Sequence, residues 1–257
     1  LQMHEAPVLV GTIFYAGQKL LRGGRRSFDR KAAAELVARQ ERLAELTGLS
    51  CMLDLVLLSP GEVSPYIDFV AEVTEVPFAA GAAKSELRLK AARYVAELGL
   101  QERYLHSSLS FFSGDPAQEA GMLAELGVRS TILLAHPEYG SRLEQAKRLV
   151  ELARTAGMRG LMADLGVVHI GELREVLEEG RRIRHELGVS VGCAPANATH
   201  MLREKVESLW GSSGFAGFDS AVHALAALHC DFVMYGAIEH ARWIFPAVAG
   251  VMLFSPP

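Results

Sequence analysis

The chain has 257 residues, half of them hydrophobic, with a formal net charge of -4 and Lys and Arg too scattered to suggest a nucleic-acid surface. Its three cysteines, Cys51, Cys193 and Cys230, are far apart with no CxxC pair, which suits reduced thiols in a cytosol and argues against a disulfide framework. No secretory signal is visible, and the most apolar stretch, "WIFPAVAGVMLF", is too short to span a bilayer, so a cytoplasmic protein without direct membrane insertion is expected.

Along the chain, short apolar runs alternate with stretches of helical periodicity. The first strand is expected in "VLVGTIFY" from Val8. Arg22, Arg25, Arg26, Arg30 and Lys31 follow as a basic cluster diluted by Asp29 and Glu35, which reads as a solvated surface and not as a phosphate site. "FDRKAAAELVARQERLAELTG" is an amphipathic helix with Asp29 as N-cap and Gly48 as its left-handed terminator. Strands are then expected in "CMLDLVL" from Cys51, "PFAAG" from Pro77, "RYLHSSL" from Arg103 and "STILLAH" from Ser130, continuing with "GLMADL" from Gly160, "VSVGCA" from Val189 and "FVMYG" from Phe232. Helices fall between them at 61–74, 84–98, 169–186 and 196–208, and "RLEQAKRLVELARTAG" ends at Gly157. The long interval before the last strand holds "WGSSGFAGF", which predicts an extra helix or a lid. The apolar C-terminal segment reads as a packed terminal helix or a subunit contact.

Eight short, apolar strands alternating with helices, without a change of composition, predict one (β/α)8 TIM barrel over residues 1–257. An open doubly wound sheet is the alternative. A barrel carries its chemistry at the C-terminal ends of its strands. Polar candidates there are Tyr15, Asp54, His106, Ser107, Ser108, His136, Asp164, Asn197, Tyr235 and Glu239. Asp54 and Asp164 stand out because each interrupts an apolar strand, where a carboxylate is costly unless it is paired or hydrogen-bonded. His106 and His136 read as ordinary polar rim residues, since no HxH, HExxH or CxxC spacing marks a metal site. GxSxG, P-loop and GxGxxG patterns are missing too, which argues against hydrolase, kinase and dehydrogenase chemistry.

Several segments, in order, resemble one family. "VGTIFYAGQKL", "CMLDLV", "YIDFVAEVTEVPF", "ILLAHP", "VGCAPANA" and "DFVMYGAIEHARWIFPAVA" are similar to the H-subunit family of tetrahydromethanopterin S-methyltransferases. The resemblance is weakest across 110–128 and 205–218. It implies a TIM barrel related to the dihydropteroate synthases. The implied activity is a methyltransferase moving a methyl group between N5 of a tetrahydropterin or tetrahydrofolate co-substrate and the cobalt of a corrinoid carried by a separate partner protein. It also implies a homodimer. Carried onto this chain, Asp164 matches the carboxylate that receives the amino-pyrimidinone edge, and Asn197 the amide approaching N5. Asp54 would bound the same pocket, and Glu239 in "YGAIE" would position the corrinoid face or hold the loop. Two positions depart from the pattern. By the resemblance the family has Asp where this chain has Gly81 and Asn where it has Ser107, with His106 or Ser108 as a neighbour that could compensate. These departures keep two alternatives open: a non-pterin methyl substrate, or a non-catalytic scaffold for a corrinoid protein.

Overall fold

In a computed structural model, residues 6–25, 27–136 and 140–253 are described. The elements, in chain order, begin with β1 (Val8–Ile13), a small hairpin of β2 (Leu21–Arg22) and β3 (Ser27–Phe28), and α1 (Arg30–Thr47). They continue through β4 (Cys51–Val56), α2 (Val63–Val73), β5 (Phe78–Gly81), α3 (Ser85–Glu97), β6 (Tyr104–Leu109) and α4 (Pro116–Glu125). Next are β7 (Ser130–Leu134), α5 (Arg142–Thr155), β8 (Gly160–Asp164), α6 (Leu173–Leu187), β9 (Ser190–Cys193) and α7 (Pro195–Met201). The last are α8 (Arg203–Ala227), β10 (Phe232–Ala237) and α9 (Ala241–Leu253). Strands β1 and β4 to β10 close into a parallel barrel, with β10 returning to β1. The fold is the (β/α)8 barrel that the alternation predicts. No helix among the described residues is long and apolar enough to cross a membrane.

Local chemistry sets the helix limits. Asp29 accepts from the Ala32 amide at 3.0 Å, and Gly48 terminates α1 at a φ of 70°, a conformation that costs glycine little. Ser141 and Glu144 cap α5 reciprocally, each side chain taking the other's amide at 3.2 Å. Pro116 at the start of α4 follows Asp115, whose carboxylate accepts from the Ala117 amide. Sequence patterning missed α4 and the β2–β3 hairpin. It also joined what the chain divides: the stretch expected as one helix over 196–208 breaks at Leu202, and α8 kinks at Gly211, where φ is 71°.

Two apolar clusters hold the barrel. Val10, Met52, Ala79, Ile132 and Phe232 fill its interior, while a larger set joins the outer strand faces to the helices. Adjacent residues of a strand point to opposite sides, so register assigns every side chain to lumen or helix layer. Gly192 pairs with Asp164 and lies in the lumen row; a Cβ there would meet the Phe232 ring at 2.6 Å, so Phe232 occupies the space β9 leaves open. The C-terminal helix α9 packs through Ile244, Phe245 and Val248, matching the packed-helix reading of that segment.

Candidate functional site

One layer above the interior cluster, towards the strand C-termini, the lumen-facing row changes from apolar to polar. Thr12 pairs with Asp54, Val56 with Gly81, Gly81 with Ser107, and Leu134 with Asp164. Thr12 Oγ1 donates to Asp54 Oδ2 at 3.1 Å. A Cβ built on Gly81 would lie 3.3 Å from Ser107 Oγ and 3.7 Å from Asp54 Oδ1, so the three positions share one side of the mouth. Across from them, Asp164 Oδ1 accepts from the Gly166 amide at 3.0 Å. No described residue donates to the second oxygen of either carboxylate, Asp54 Oδ1 or Asp164 Oδ2. Asp54 is 7% exposed; Asp164 is partly open at the mouth yet sits deep in the barrel wall.

Burial raises both carboxyls to about 6. For Asp54, desolvation outweighs the Thr12 hydrogen bond, and the neighbouring Asp164 charge pushes in the same direction. For Asp164, desolvation outweighs the Gly166 amide. Two neighbouring carboxylates, each with an oxygen to which no described residue donates, form a surface able to accept hydrogen bonds from a flat donor edge.

Other sequence candidates fall in different places. Ser108 is half-buried and is the extra residue where the β6 register slips against β7 between Ser107 and Leu109. Asn197 lies in the first turn of α7 with its side chain exposed, four residues beyond the end of β9. Glu239 is tied down: Tyr15 Oη donates to it at 3.2 Å and Gln18 Nε2 at 3.0 Å, so it fastens the loop after β1 to the end of β10. Burial and the Glu239 charge push the Tyr15 hydroxyl well above its ordinary range, and the tyrosine stays a donor. His136 flanks the Asp164 turn, with its ring close to where a Gly166 Cβ would stand.

Three readings need correction. His106 is neither a rim residue nor able to compensate for Ser107: it points outward and is fully buried, with Nε2 2.7 Å from Glu119 Oε1. Arg88 grips the same Glu119 in a bidentate pair at 2.9 and 2.7 Å. Desolvation is the main reason that the His106 ring titrates below its ordinary value, so a neutral ring donating from Nε2 to Glu119 fits the site. Tyr235 also faces outward, its hydroxyl donating to Gln40. Arg25 is no solvated side chain: it donates to Glu62 at 3.0 Å and to the Phe14 and Val56 carbonyls at 2.6 and 3.0 Å, stapling the ends of β1 and β4. Arg26 lies outside the described residues.

A polar centre that sequence reasoning missed is Asp219 on α8, which gathers Thr199, His223, His240 and Trp243. Separately, a cavity of about 760 Å³ opens at the opposite end of the barrel, among Val8, Cys51, Met52, Leu105 and Met162. Its lining is mostly apolar, with Glu41 and Glu45 of α1 at its edge, and it lies at the strand beginnings, the end of a barrel that serves stability. The mouth, not this cavity, is the chemical site.

Comparison with known proteins agrees with this architecture. The H subunit of tetrahydromethanopterin S-methyltransferase from Methanopyrus kandleri is 28% identical over 95% of this chain and 83% of its own length. The H subunit of the putative methyltransferase mtx from Methanosarcina barkeri is 30% identical over 96% of this chain and 85% of its own. Among solved structures, the dihydropteroate synthase of Xanthomonas albilineans in complex with 7,8-dihydropteroate superposes with a TM-score of 0.67 at 17% identity, covering 99% of this chain and 96% of that one. The Yersinia pestis dihydropteroate synthase gives 0.65 at 12%, covering 98% and 96%. At such identities the likeness shows the barrel alone. The family model described as the tetrahydromethanopterin S-methyltransferase MtrH subunit matches residues 2–255, and the chain belongs to that methyltransferase family.

Proposed function

We propose that this chain catalyses transfer of a methyl group between N5 of a tetrahydropterin or tetrahydrofolate and the cobalt of a corrinoid held by a partner protein, in the cytoplasm. The observation that carries this reading is the pair Asp54 and Asp164, the first buried and the second set in the barrel wall, each raised to about 6, each with one oxygen at the barrel mouth to which no described residue donates. A pterin presents two parallel donors on its amino-pyrimidinone edge, and an ionised Asp164 accepts both. Asp54 and Ser107 bound the ring on the facing wall, and Ser108 follows in the same strand end. Asn197 supplies an amide that can donate to or accept from N5 as the methyl leaves or arrives.

The chemistry asks little else of the protein. Methyl transfer would be an in-line displacement in which cobalt(I) on the partner protein supplies the electron pair for the new carbon–cobalt bond, while N5 keeps the pair of the broken bond and takes up a proton; the reverse direction returns both. The chain's contribution is proximity, orientation and a polar pocket, with no covalent nucleophile of its own. A partner must therefore approach the mouth. Segments that follow the strand C-termini carry large exposed apolar side chains, including Phe112, Val168, Met201, Leu209 and Trp210, the last 63% exposed. Such a rim suits a docked protein. Glu239, held by Tyr15 and Gln18, keeps the loop after β1 in place beneath that partner. From the family resemblance we also propose a homodimer, which sedimentation measures directly.

The test is methyl transfer between methylcobalamin and tetrahydrofolate or tetrahydromethanopterin by the purified protein. Activity lost in Asp164→Ala supports the reading; an inactive wild type at every concentration removes it. A second reading, a different methyl substrate, is favoured by Gly81 and Ser107, where the family carries Asp and Asn. Calorimetry separates the two: submillimolar binding of a pterin, abolished by Asp164→Ala, excludes it.

A further inference from the structure

Asp219 is a buried carboxylate at which α7, α8, α9 and the turn after β10 meet. It is 1% exposed; two side chains donate hydrogen bonds to it and two histidine ring nitrogens lie within ion-pair distance. Thr199 Oγ1 of α7 donates at 2.7 Å and Trp243 Nε1 of α9 at 3.0 Å. Nδ1 of His240, in the turn after β10, lies 3.0 Å away; Nδ1 of His223, one turn along α8, pairs with the Asp219 backbone carbonyl at 2.7 Å and lies 3.3 Å from the carboxylate. Burial alone would raise this carboxyl. The histidine contacts, with Thr199, outweigh burial and hold it well below the usual range.

A buried ion is an expensive way to join helices, because apolar packing does the same work without desolvation. Its position suggests why it is here. The α7 helix is seven residues long, too short to hold its shape without tertiary contacts. Successive helical residues are about 100° apart, so Thr199 and Asn197, two positions apart, face nearly opposite directions. Thr199 turns inward to Asp219 while the Asn197 side chain is exposed. The other arms of the cluster reach His240, which directly follows Glu239, the residue that fastens the loop after β1. One carboxylate thus links the helix bearing Asn197 to the turn bearing Glu239.

We propose that Asp219 is a positioning residue: through Thr199 it fixes the rotation of α7 and thereby aims the Asn197 amide at the reacting nitrogen. This rests on the methyl-transfer reading for the role of Asn197, though the mechanical link from Asp219 to α7 stands apart from it.

The test uses Thr199→Val, which keeps the side chain's shape and removes its donor, beside Thr199→Ser, which keeps the donor. Trp243→Phe is the control, removing a donor from the α9 side without touching α7. In Thr199→Val, kcat for methyl transfer is expected to fall about tenfold or more, with KM for the pterin changed less than about twofold. Amide exchange over 195–201 is expected to accelerate by a similar factor, roughly tenfold. Thr199→Ser restores both, and Trp243→Phe lowers the melting temperature while retaining kcat. The proposal is overturned by wild-type kcat in Thr199→Val, by unchanged exchange over 195–201, or by an equal loss of kcat in Trp243→Phe. If the wild type is inactive, the methyl-transfer reading fails, and exchange over 195–201 alone decides whether Asp219 fixes α7.

Discussion

Replacing Asp54 with asparagine should stabilise the protein at alkaline pH and leave it unchanged in acid. The Asp54 carboxyl is raised from 3.8 to about 6 by burial, with the Asp164 charge assisting. Between those values the folded chain holds a proton that the unfolded chain has released. The unfolding free energy therefore falls as pH rises from about 4 to about 6, and is flat above. Roughly two pKa units at 1.36 kcal/mol each set the cost at up to about 3 kcal/mol at neutral pH. An asparagine still accepts from Thr12 and cannot ionise, so it removes that cost. For a chain of this size about 1 kcal/mol moves the midpoint by about 2–4 °C, so Asp54→Asn should melt about 5–10 °C higher at about pH 8. At about pH 4 the two proteins should melt together. Thermal unfolding followed by circular dichroism measures this directly. A lower or equal midpoint for Asp54→Asn at alkaline pH, or a gain independent of pH, would refute the reasoning that Asp54 is held at a cost.

If pterin recognition needs ionised Asp164, its affinity should weaken as pH falls through about 6, by about tenfold near pH 5, which calorimetry across that range would reveal. Arg88→Ala leaves Glu119 buried without its bidentate partner and should cost about 3–5 kcal/mol in denaturant unfolding; wild-type stability would show that the ion pair contributes nothing. Glu239→Gln should lose about 1–2 kcal/mol through weaker bonds to Tyr15 and Gln18, with amide exchange rising first over 15–19. Gly81→Asp paired with Ser107→Asn introduces the carboxylate and amide that the family resemblance implies at these positions. Together they should tighten pterin binding by about 1–3 kcal/mol for each contact made, and unchanged affinity would mean that the pocket serves another ligand.

The strands were legible because a parallel sheet covered on both faces needs short, continuous apolar runs, and all eight barrel strands appear at or within a residue or two of the expected segments. Asp54 and Asp164 were legible for the converse reason, as charges interrupting such runs. The side each strand-end residue faces was harder to read. His106 and Tyr235 look like mouth residues in a linear reading, but strand parity turns both towards the helices. Asp219 left no signal, because it lies in a glycine-rich helix and gains its meaning only when α7, α8, α9 and the turn after β10 converge. Helix α4 did leave one, the Asp115–Pro116 cap, which periodicity alone does not register.

The most direct test is a crystal structure with an N5-methyl tetrahydropterin soaked into the barrel. The account predicts the amino-pyrimidinone edge within about 2.7–3.2 Å of the Asp164 carboxylate, with N5 turned towards Asn197. A pterin bound elsewhere, or Asp164 and Asn197 facing away from a common cavity, would contradict it.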